Sequence, residues 1–542
     1  MRRQPIATLV LSIILLAACS APPAEAPAQN RIVYGLTLQV SGIDPHINQS
    51  SELGIVLRQV YDTLVYRHPT TREFVSGLAQ NWTISDDGLI YTFSLRNDVV
   101  FHDGTPFNAE SLRLNFDRIL FPDTLSQKAR NLLGPIVAYR VLDDYTFELQ
   151  LSQPYAPLLD GLAQVYLGIA SPSALATVNA LPGMEEYNTL LYQYHQVGTG
   201  PYRFVDYIPG DHITLERYMD YNWGPSFYTP PTEGAVDIIE YRFFEDAPTR
   251  SVALESGDAD IMGELLPADA RSLANNAAVQ LEPVYVPGQP LQFYLNTAVA
   301  PTDDLAVRQA LIYATDREAI DESVFQGFSP VAWGPISASS LYYNSGVQGV
   351  YAFNPAQAID LLTNAGYSDS DNDDILDRNG EPLTVRIVQP PWGQLPEVTQ
   401  LLRDQWAAVG IQTIIEPVPG FPGLMDKISE NEFNLVAFSS YGLEPSYLVD
   451  RFLSTSELNW TGYSDPILDT ALTNAIITNS EDDRSFQYGT AQAIIMQQAL
   501  VLPIRDYVNL NAHRSNIRGL MYDAYGWFPL MVNVSVASTE PQ

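Results

Sequence analysis

Apolar and polar residues alternate along two stretches in the first third of the chain. In NWTISDDGLIYTFSLR, the residues Leu89, Tyr91, Phe93 and Leu95 fall on one side of the pattern. This two-residue period, preceded by an Asp-Asp-Gly turn, predicts a β-hairpin with one buried face. The stretch VLDDYTFELQLSQP repeats the alternation, and a helical stripe of apolar residues lies between the two stretches. We therefore expect a small α+β domain over residues 67–195.

The second half of the chain alternates strand patterns with helix patterns. The strand segments LTVRIV, IQTIIEPV and NLVAFSS are separated by a helix predicted from about Pro396 to Val409 and by the helical segment LMDKISEN. A βαβαβ order folds through right-handed crossovers into a parallel sheet. The predicted fold class is therefore α/β.

A short apolar run follows two arginines at the start of the sequence. It extends from Ile6 to Ala18 and stops directly before Cys19, the single cysteine. Such a run is typical of a secretory signal peptide and is shorter than the roughly 20 residues of a membrane-spanning helix. The stretch Leu16-Ala17-Ala18-Cys19 resembles the bacterial lipoprotein signal, which implies lipidation of Cys19. The alternative is an ordinary signal peptide with an incidental cysteine. We expect residues 1–19 to be the signal and lipobox, and the Ala/Pro-rich residues 20–30 to be a tether.

Charge, cysteine content and length exclude several classes of protein. The formal net charge is −35 at pH 7, so a polyanion would be repelled and no nucleic acid partner is expected. One cysteine cannot form an internal disulfide. Roughly 510 mature residues exceed what a single core supports, which predicts two or three lobes.

Aromatic residues follow the strands of the predicted parallel sheet. Trp392 lies in QPPWG, Phe421 in PGFPG, and Tyr441 and Glu444 in SSYGLEP. Ligands of open α/β sheets bind beyond the carboxyl ends of the strands, and flat rings suit stacking on a sugar, a peptide side chain or a planar metabolite. The alternative is that these rings fill interfaces between lobes. The candidate ligand-binding residues are Val40, Ser41, Trp392, Phe421, Phe438, Tyr441, Gly442 and Glu444.

Motifs of common enzyme classes are absent from the sequence. It contains no GxSxG, HExxH or phosphate-binding loop, and its six histidines lack metal-ligand spacing. The many acidic residues leave a paired-carboxylate site open, so a secreted glycoside hydrolase is the alternative from another class. We expect a binding protein without catalytic residues and without a cofactor.

The acidic stretch DSDNDDILDRNG matches part of a calcium-loop pattern. Asp369, Asp371, Asp373 and Asp377 occupy its first, third, fifth and ninth positions. An aspartate stands at the position of the turn glycine, however, and a glycine stands where the bidentate glutamate belongs. A solvated acidic turn is the preferred interpretation, and calcium binding by the four aspartates is the alternative.

Several longer motifs together resemble family 5 of the extracellular solute-binding proteins, which serve ABC importers of peptides, oligosaccharides and nickel complexes. They are VYDTLVYR, LAQNWTISDDGLIYTFSLRNDVVFHDGTPFNA, VGTGPYRF, RQALIYATDREAI and NWTGYSDP. The resemblance implies a clamshell of the periplasmic-binding-protein type (type II, cluster C), with two main lobes and a small extra α+β domain. We assign residues 31–66, 196–290 and 500–536 to lobe I, residues 67–195 to the extra domain, and residues 291–499, which hold the βαβ sheet, to lobe II.

The same resemblance implies a cellular role. The lobes would close on a solute at a hinge, and the closed form would deliver the solute to ABC permease subunits coupled to their ATPase. We expect a monomer in the cell envelope, held by lipid on Cys19 at the outer face of the cytoplasmic membrane or in the periplasm.

One motif departs from the family pattern. In peptide-binding relatives, a WxADYxEP-like stretch supplies an aspartate that pairs with the α-amine of the peptide. In FSSYGLEP, Glu444 is retained, but Phe438 stands at the tryptophan and Tyr441 at the aspartate. We expect an oligopeptide-like ligand whose amine meets Glu444 or another acid; the alternative is an oligosaccharide or another neutral solute. The scattered histidines disfavour a nickel complex.

Overall fold

The computed structural model describes residues 30–38, 43–47, 50–184 and 186–537. The predicted signal peptide with Cys19, residues 20–29 of the tether, and the candidates Val40 and Ser41 lie outside the described residues. The strands in chain order are β1 (Arg31–Leu36), β2 (Val65–Arg67), β3 (Phe74–Ser76), β4 (Ala79–Ile84), β5 (Ile90–Leu95), β6 (Ile136–Asp143), β7 (Thr146–Leu151), β8 (Tyr202–Ile208), β9 (His212–Arg217), β10 (Ile238–Phe243), β11 (Ile261–Met262), β12 (Val279–Tyr285), β13 (Leu291–Leu295), β14 (Asp377–Arg378), β15 (Glu381–Pro382), β16 (Thr384–Gln389), β17 (Gln412–Pro417), β18 (Leu435–Ala437), β19 (Val501–Arg505), β20 (Val508–Arg514), β21 (Ile517–Arg518) and β22 (Ser535–Val536).

Helices connect most of these strands. In chain order they are α1 (Ser51–Val60), α2 (Ala109–Leu120), α3 (Lys128–Leu132), α4 (Leu158–Leu162), α5 (Pro172–Thr177), α6 (Ala247–Ser256), α7 (Pro267–Leu273), α8 (Leu305–Tyr313), α9 (Arg317–Val324), α10 (Pro355–Asn364), α11 (Leu395–Ala407), α12 (Phe421–Glu430), α13 (Tyr447–Phe452), α14 (Pro466–Ile477) and α15 (Glu481–Gln497).

The largest sheet has seven strands in the order β12-β20-β11-β1-β10-β9-β8. Its central strand β1 runs parallel to β10 and β11, with Tyr34 opposite Tyr241 and Ile261. All other strand pairs in this sheet are antiparallel. Residues 34–36 are all buried, as expected for a central strand that is covered on both faces.

A four-stranded antiparallel sheet in the order β4-β5-β7-β6 forms the small α+β region. The predicted hairpin is confirmed: β4 pairs with β5, with Trp82 opposite Phe93. Tyr91, Phe93 and Leu95 are buried, whereas Ser94 between them is exposed. The side chain of Asn108 caps α2, which packs over this sheet.

The third large sheet has five strands in the order β17-β16-β18-β13-β19. The predicted parallel arrangement is confirmed for β16, β17 and β18, which α11 and α12 connect. β13 is antiparallel to both β18 and β19, so the sheet as a whole is mixed.

The two largest apolar cores of the described residues lie under these sheets. The first joins the seven-stranded and four-stranded sheets and contains Ile32, Phe93 and Ile239. The second surrounds the five-stranded sheet and contains Phe293, Ile387 and Trp406. We call the parts of the structure built around these two cores the two packing units. A cavity between the two units is therefore a candidate ligand-binding site.

The chain crosses between the seven-stranded and five-stranded sheets at residues 286–290 and again at residues 506–507. The first crossing falls next to the predicted boundary between residues 290 and 291. The second lies later than the predicted boundary between residues 499 and 500, because β19 pairs with β13 in the five-stranded sheet. The two crossings lie side by side, with the backbone N–H of Val286 donating to the carbonyl of Tyr507 at 3.0 Å. We call residues 286–290 and 506–507 the crossing segments.

Candidate functional site

Three adjoining cavities open beside the crossing segments. The aromatic cavity, of about 310 Å³, is lined by Phe325, Trp392, Phe438, Tyr441, Arg505 and Tyr507. The charged cavity, of about 380 Å³, is lined by Arg250, Glu264, Phe325, Phe328, Arg505 and Tyr507. The outer cavity, of about 390 Å³, is lined by Lys128, Asp160, Tyr441, Gly442, Glu444 and Asp450. The charged and aromatic cavities share several wall residues, and Tyr441 lines both the aromatic and the outer cavity. We call the three cavities together the cleft; their walls come from both packing units.

The structure brings most of the predicted strand-end aromatics together. Trp392 follows β16 and Phe438 follows β18, and the centroids of their rings lie 6.1 Å apart in an edge arrangement. This is the expected result for neighbouring parallel strands, whose carboxyl ends meet at the same edge of the sheet. Phe421, at the start of α12, lies 6.1 Å from the Phe438 ring, is 50% exposed, and does not line the cavities described above.

Tyr441 occupies the centre of the cleft. Its ring lies 5.2 Å from that of Tyr507 and 5.3 Å from that of Trp527, and it is still 45% exposed. Residues from the five-stranded sheet, the second crossing segment and the chain near the carboxyl terminus therefore form one aromatic group. The available face of Tyr441 suits stacking on a flat or apolar part of a ligand.

The loop that carries Tyr441 is fixed to the first crossing segment. The backbone of Gln289 donates to the carbonyl of Ser440 at 2.7 Å, and that of Gly442 donates to the carbonyl of Pro287 at 3.1 Å. Gly288 has a φ of +143°, and a Cβ there would lie only 2.7 Å from the Cα of Tyr441. Glycine is required at position 288 for this close approach.

Glu444 is held by an internal ion pair. Nη2 of Arg484 lies 2.5 Å from its Oε1, and the Tyr488 hydroxyl donates to the same oxygen at 2.8 Å. Burial raises the pKa of Glu444, although the charge of Arg484 opposes this effect. Only Oε2 is without a partner among the described residues. The predicted acid therefore lies in the wall of the outer cavity, but most of its charge is already matched.

Two charged residues of the cleft, Arg505 and Glu264, were not predicted from the sequence. Arg505 is only 7% exposed, and its guanidinium carbon lies 4.1 Å and 4.8 Å from the ring centroids of Phe325 and Tyr507. Glu264 projects into the charged cavity from the loop after β11. The available signal for Arg505 was a lone arginine inside the apolar run VLPIRDYV, and nothing in the local pattern marks Glu264.

The acidic loop lies apart from the cleft. Carboxylate oxygens of Asp369, Asp371 and Asp373 lie within 4.8 Å of one another, and all three residues are exposed. The carboxylate of Asp377 instead accepts hydrogen bonds from the backbone and hydroxyl of Ser370, at 2.9 Å and 2.6 Å. The structure thus groups three of the four predicted aspartates, near the amino end of β16. Within the described ranges, no helix is long and apolar enough to cross a membrane.

Comparisons with known proteins give a family profile, similar relatives and a similar solved structure. The profile described as bacterial extracellular solute-binding proteins, family 5 (middle region), matches residues 73–460. Heme-binding protein A of Haemophilus influenzae is 27% identical over 97% of this chain and 98% of its own length. The glutathione-binding protein GsiB of Salmonella choleraesuis is 28% identical over 82% of both chains. The crystal structure of NikA from Brucella suis in complex with Fe(III)-EDTA superposes with a TM-score of 0.82 at 22% identity, and covers 93% of this chain and 99% of that one.

Proposed function

Because the chain belongs to family 5 of the bacterial extracellular solute-binding proteins, we propose that it captures an oligopeptide-like solute by closure of its two lobes and delivers it to an ABC permease. The observation that carries this proposal is the cleft beside the crossing segments. It combines stacking faces, at Trp392 and Tyr441, with charges of both signs, at the buried Arg505 and the partly exposed Glu264. Peptides offer all of the matching groups: apolar side chains, charged termini and a polar backbone.

The crossing segments support closure as the response to ligand. They join the two packing units at residues 286–290 and 506–507, and Tyr507 itself lines the cleft. A solute that contacts both units favours the closed state, since a ligand with equal affinity for both states shifts nothing. The closed form is then the one that docks on the permease subunits, which are coupled to their ATPase.

The relatives support a peptide ligand. GsiB, by its name, binds glutathione, which is a tripeptide that carries both an ammonium group and carboxylates. A neutral solute such as an oligosaccharide is the second candidate. The observation that favours it is Tyr441, which offers a ring face and a hydroxyl. Peptide-binding relatives have an aspartate at this position, and a carboxylate there would favour an amine. Heme and metal complexes are named for other relatives, but the described residues around the three cavities include no histidine.

A screen of bound solutes tests this proposal directly. The purified protein is mixed with an equimolar pool of synthetic peptides or with a pool of oligosaccharides, and the complexes are identified by native mass spectrometry. We expect peptides to be retained. A hundredfold excess of a retained peptide over its Kd should also stabilise the fold by about 2.7 kcal/mol. Retention of oligosaccharides alone would contradict the peptide assignment and favour the second candidate.

We also infer that the protein binds its solute without turning it over. Family and fold are those of receptors. The rival activity is glycoside hydrolysis by paired carboxylates. Incubation with oligosaccharides and peptides, followed by mass spectrometry, should give no products. Steady product formation that follows the protein through successive purification columns would identify a hydrolase.

The location and the domain division complete the proposal. We propose that lipid on Cys19 holds a monomer at the membrane, with residues 20–30 as its tether. We further propose that lobe I comprises residues 31–66, 196–290 and 506–536, that residues 67–195 form the extra domain, and that residues 291–505 form lobe II.

A further inference from the structure

Arg505 is a buried cation that forms no ion pair with a described carboxylate, although the charges of Asp321 and Asp506 raise its pKa from a longer distance. Its Nη1 donates to the hydroxyl of Ser329 at 3.1 Å, and its Nε has no hydrogen-bond partner there. No described carboxylate oxygen lies within 4.0 Å of its nitrogens. Burial lowers the pKa of Arg505, but an arginine keeps its proton at neutral pH. A buried charge that is only partly offset is costly, so Arg505 is suited to receive an anionic group of a ligand.

Glu264 belongs to a cluster of negatively charged groups around the Thr37 hydroxyl. Its Oε2 lies 2.6 Å from the hydroxyl of Thr37, and Oε1 of Glu52 contacts the same hydroxyl from the other side. A hydroxyl has a single proton, so Thr37 donates to one carboxylate and can accept from the other only if that carboxyl is protonated. Burial and the charge of Glu264 raise the pKa of Glu52 to about 7. The Thr37 group, which we define as Thr37, Glu52 and Glu264, therefore holds excess negative charge that is offset by a proton, by the nearby Arg250 or by another cation.

Arg250 lies beside the Thr37 group, and its charge opposes the rise in the pKa of Glu52. It is the arginine beside Glu264 in the charged cavity, and its nitrogens donate to the backbone carbonyls of Phe244, Glu245 and Glu264 at 2.7–3.1 Å and to that of Thr37 at 3.5 Å. No ion pair joins it to a described carboxylate. Glu264 is also partly exposed and lines the cavity, so its carboxylate is accessible to a solute.

Both charged groups face the same space. Arg505 and Glu264 line the charged cavity, with the ring of Tyr507 in the wall that they share. We propose that this cavity receives the charged termini of a zwitterionic solute, with a carboxylate on Arg505 and an ammonium on Glu264. The proposal rests on the peptide receptor function argued above. It places amine recognition in the lobe of the seven-stranded sheet, away from Tyr441 and from the internally paired Glu444.

Blocking the charges of a bound peptide tests the proposal on the unaltered protein. The peptide retained best in the pool is resynthesised in three forms: with free termini, N-acetylated and C-amidated. Because hydrogen bonds to charged groups are the stronger class, we expect each blocked form to bind about 10- to 100-fold more weakly by calorimetry. Equal affinity of all three forms would overturn this inference and leave the peptide function intact. Failure of every peptide to bind would contradict both.

Two variants then assign each charge to its residue. Arg505→Gln should bind the free and C-amidated peptides equally but should still bind the N-acetylated peptide more weakly. Glu264→Gln should bind the free and N-acetylated peptides equally but should still bind the C-amidated peptide more weakly. Arg403→Gln and Glu255→Gln are matched controls on exposed positions and should keep both preferences. If Arg505→Gln fails to fold, Arg505→Lys, which keeps the charge but not the planar fork, should show a reduced preference for the free carboxylate. An undiminished preference in Arg505→Lys and in Glu264→Gln would refute the assignment.

Discussion

Oε1 of Glu444 lies 2.5 Å from Nη2 of Arg484, and both residues are almost completely buried. Glu444→Gln should therefore act first on stability, because it leaves the Arg484 guanidinium without its counter-charge. We expect the free energy of unfolding to fall by about 3–5 kcal/mol, as measured by urea denaturation. The exposed Glu457→Gln is the matched control and should change it by less than about 0.5 kcal/mol. An unchanged unfolding midpoint for Glu444→Gln would contradict a structural role for this ion pair.

This pair also illustrates what the sequence could and could not predict about the site. The Glu444-Pro445 match to peptide-binding relatives was visible in the sequence, and the structure places Glu444 in a cavity wall. Its partner is 40 residues further along the chain, on α15, where it looks like any helical arginine. No local pattern reports such a pairing, so the sequence suggested a free acid where the fold supplies a matched one.

Elements with a strong local period were predictable. The hairpin containing Phe93 and the three parallel strands β16, β17 and β18 follow from alternation and from strand-helix order. The positions of Trp392 and Phe438 follow from the same rule, since ligand sites lie at the carboxyl ends of strands. Arg505 and Glu264 line the same cavity only because the chain crosses twice between its packing units. This long-range geometry leaves no periodic pattern in the sequence.

Truncation of the cleft aromatics should weaken solute binding. Tyr441→Ala and Trp392→Ala each remove a ring that lines the aromatic cavity, and loss of a stacked ring costs about 1–3 kcal/mol. The affinity of the best-retained peptide should therefore fall by about 10- to 100-fold in calorimetry. Phe421→Ala is the internal comparison, because Phe421 is half exposed and lies outside the cavity walls described. If Tyr441→Ala and Trp392→Ala bind as tightly as Phe421→Ala, the rings serve only packing.

The acidic loop should be dispensable for solute binding. Asp369, Asp371 and Asp373 are exposed and lie near the amino end of β16, whereas the cleft lies at the carboxyl ends of the strands. We expect the Kd of the same peptide to be unchanged by EDTA, by added calcium, and by the combined change of these three aspartates to asparagine. A large loss of affinity on chelation that calcium restores would show that the loop acts on the site.

Membrane attachment should depend on Cys19. Cys19→Ala, expressed with the native signal, removes the sulfur that a lipid would be attached to, and a single short apolar run is not a membrane-spanning helix. We expect the variant to move from the membrane fraction to the soluble or secreted fraction while it keeps its peptide affinity. A Ser20→Ala variant is the neighbouring control and should stay with the membranes. Retention of Cys19→Ala in the membranes would exclude the lipid anchor.

The Thr37 group should make stability depend on pH. The pKa of Glu52 in the folded protein is raised to about 7, mainly by burial and then by the charge of Glu264. Hydrogen bonds from Thr37 and the charge of Arg250 oppose this rise. The unfolded chain has the ordinary glutamate value of about 4.3. Between these two values the folded state holds more protons than the unfolded state, so the free energy of unfolding falls as pH rises through this window.

Urea denaturation at pH 5 and pH 8 measures this contribution. The parent should lose on the order of 2 kcal/mol more stability between these pH values than Glu52→Gln, which has no proton to release. Burial also raises the pKa values of Asp506 and Asp523 to about 6, so part of the parent's slope will persist in Glu52→Gln. The exposed Glu457→Gln should keep the whole slope. Identical slopes for Glu52→Gln and the parent would mean that Glu52 is already ionised at pH 5, and the excess negative charge in the Thr37 group would then need a cation other than a proton.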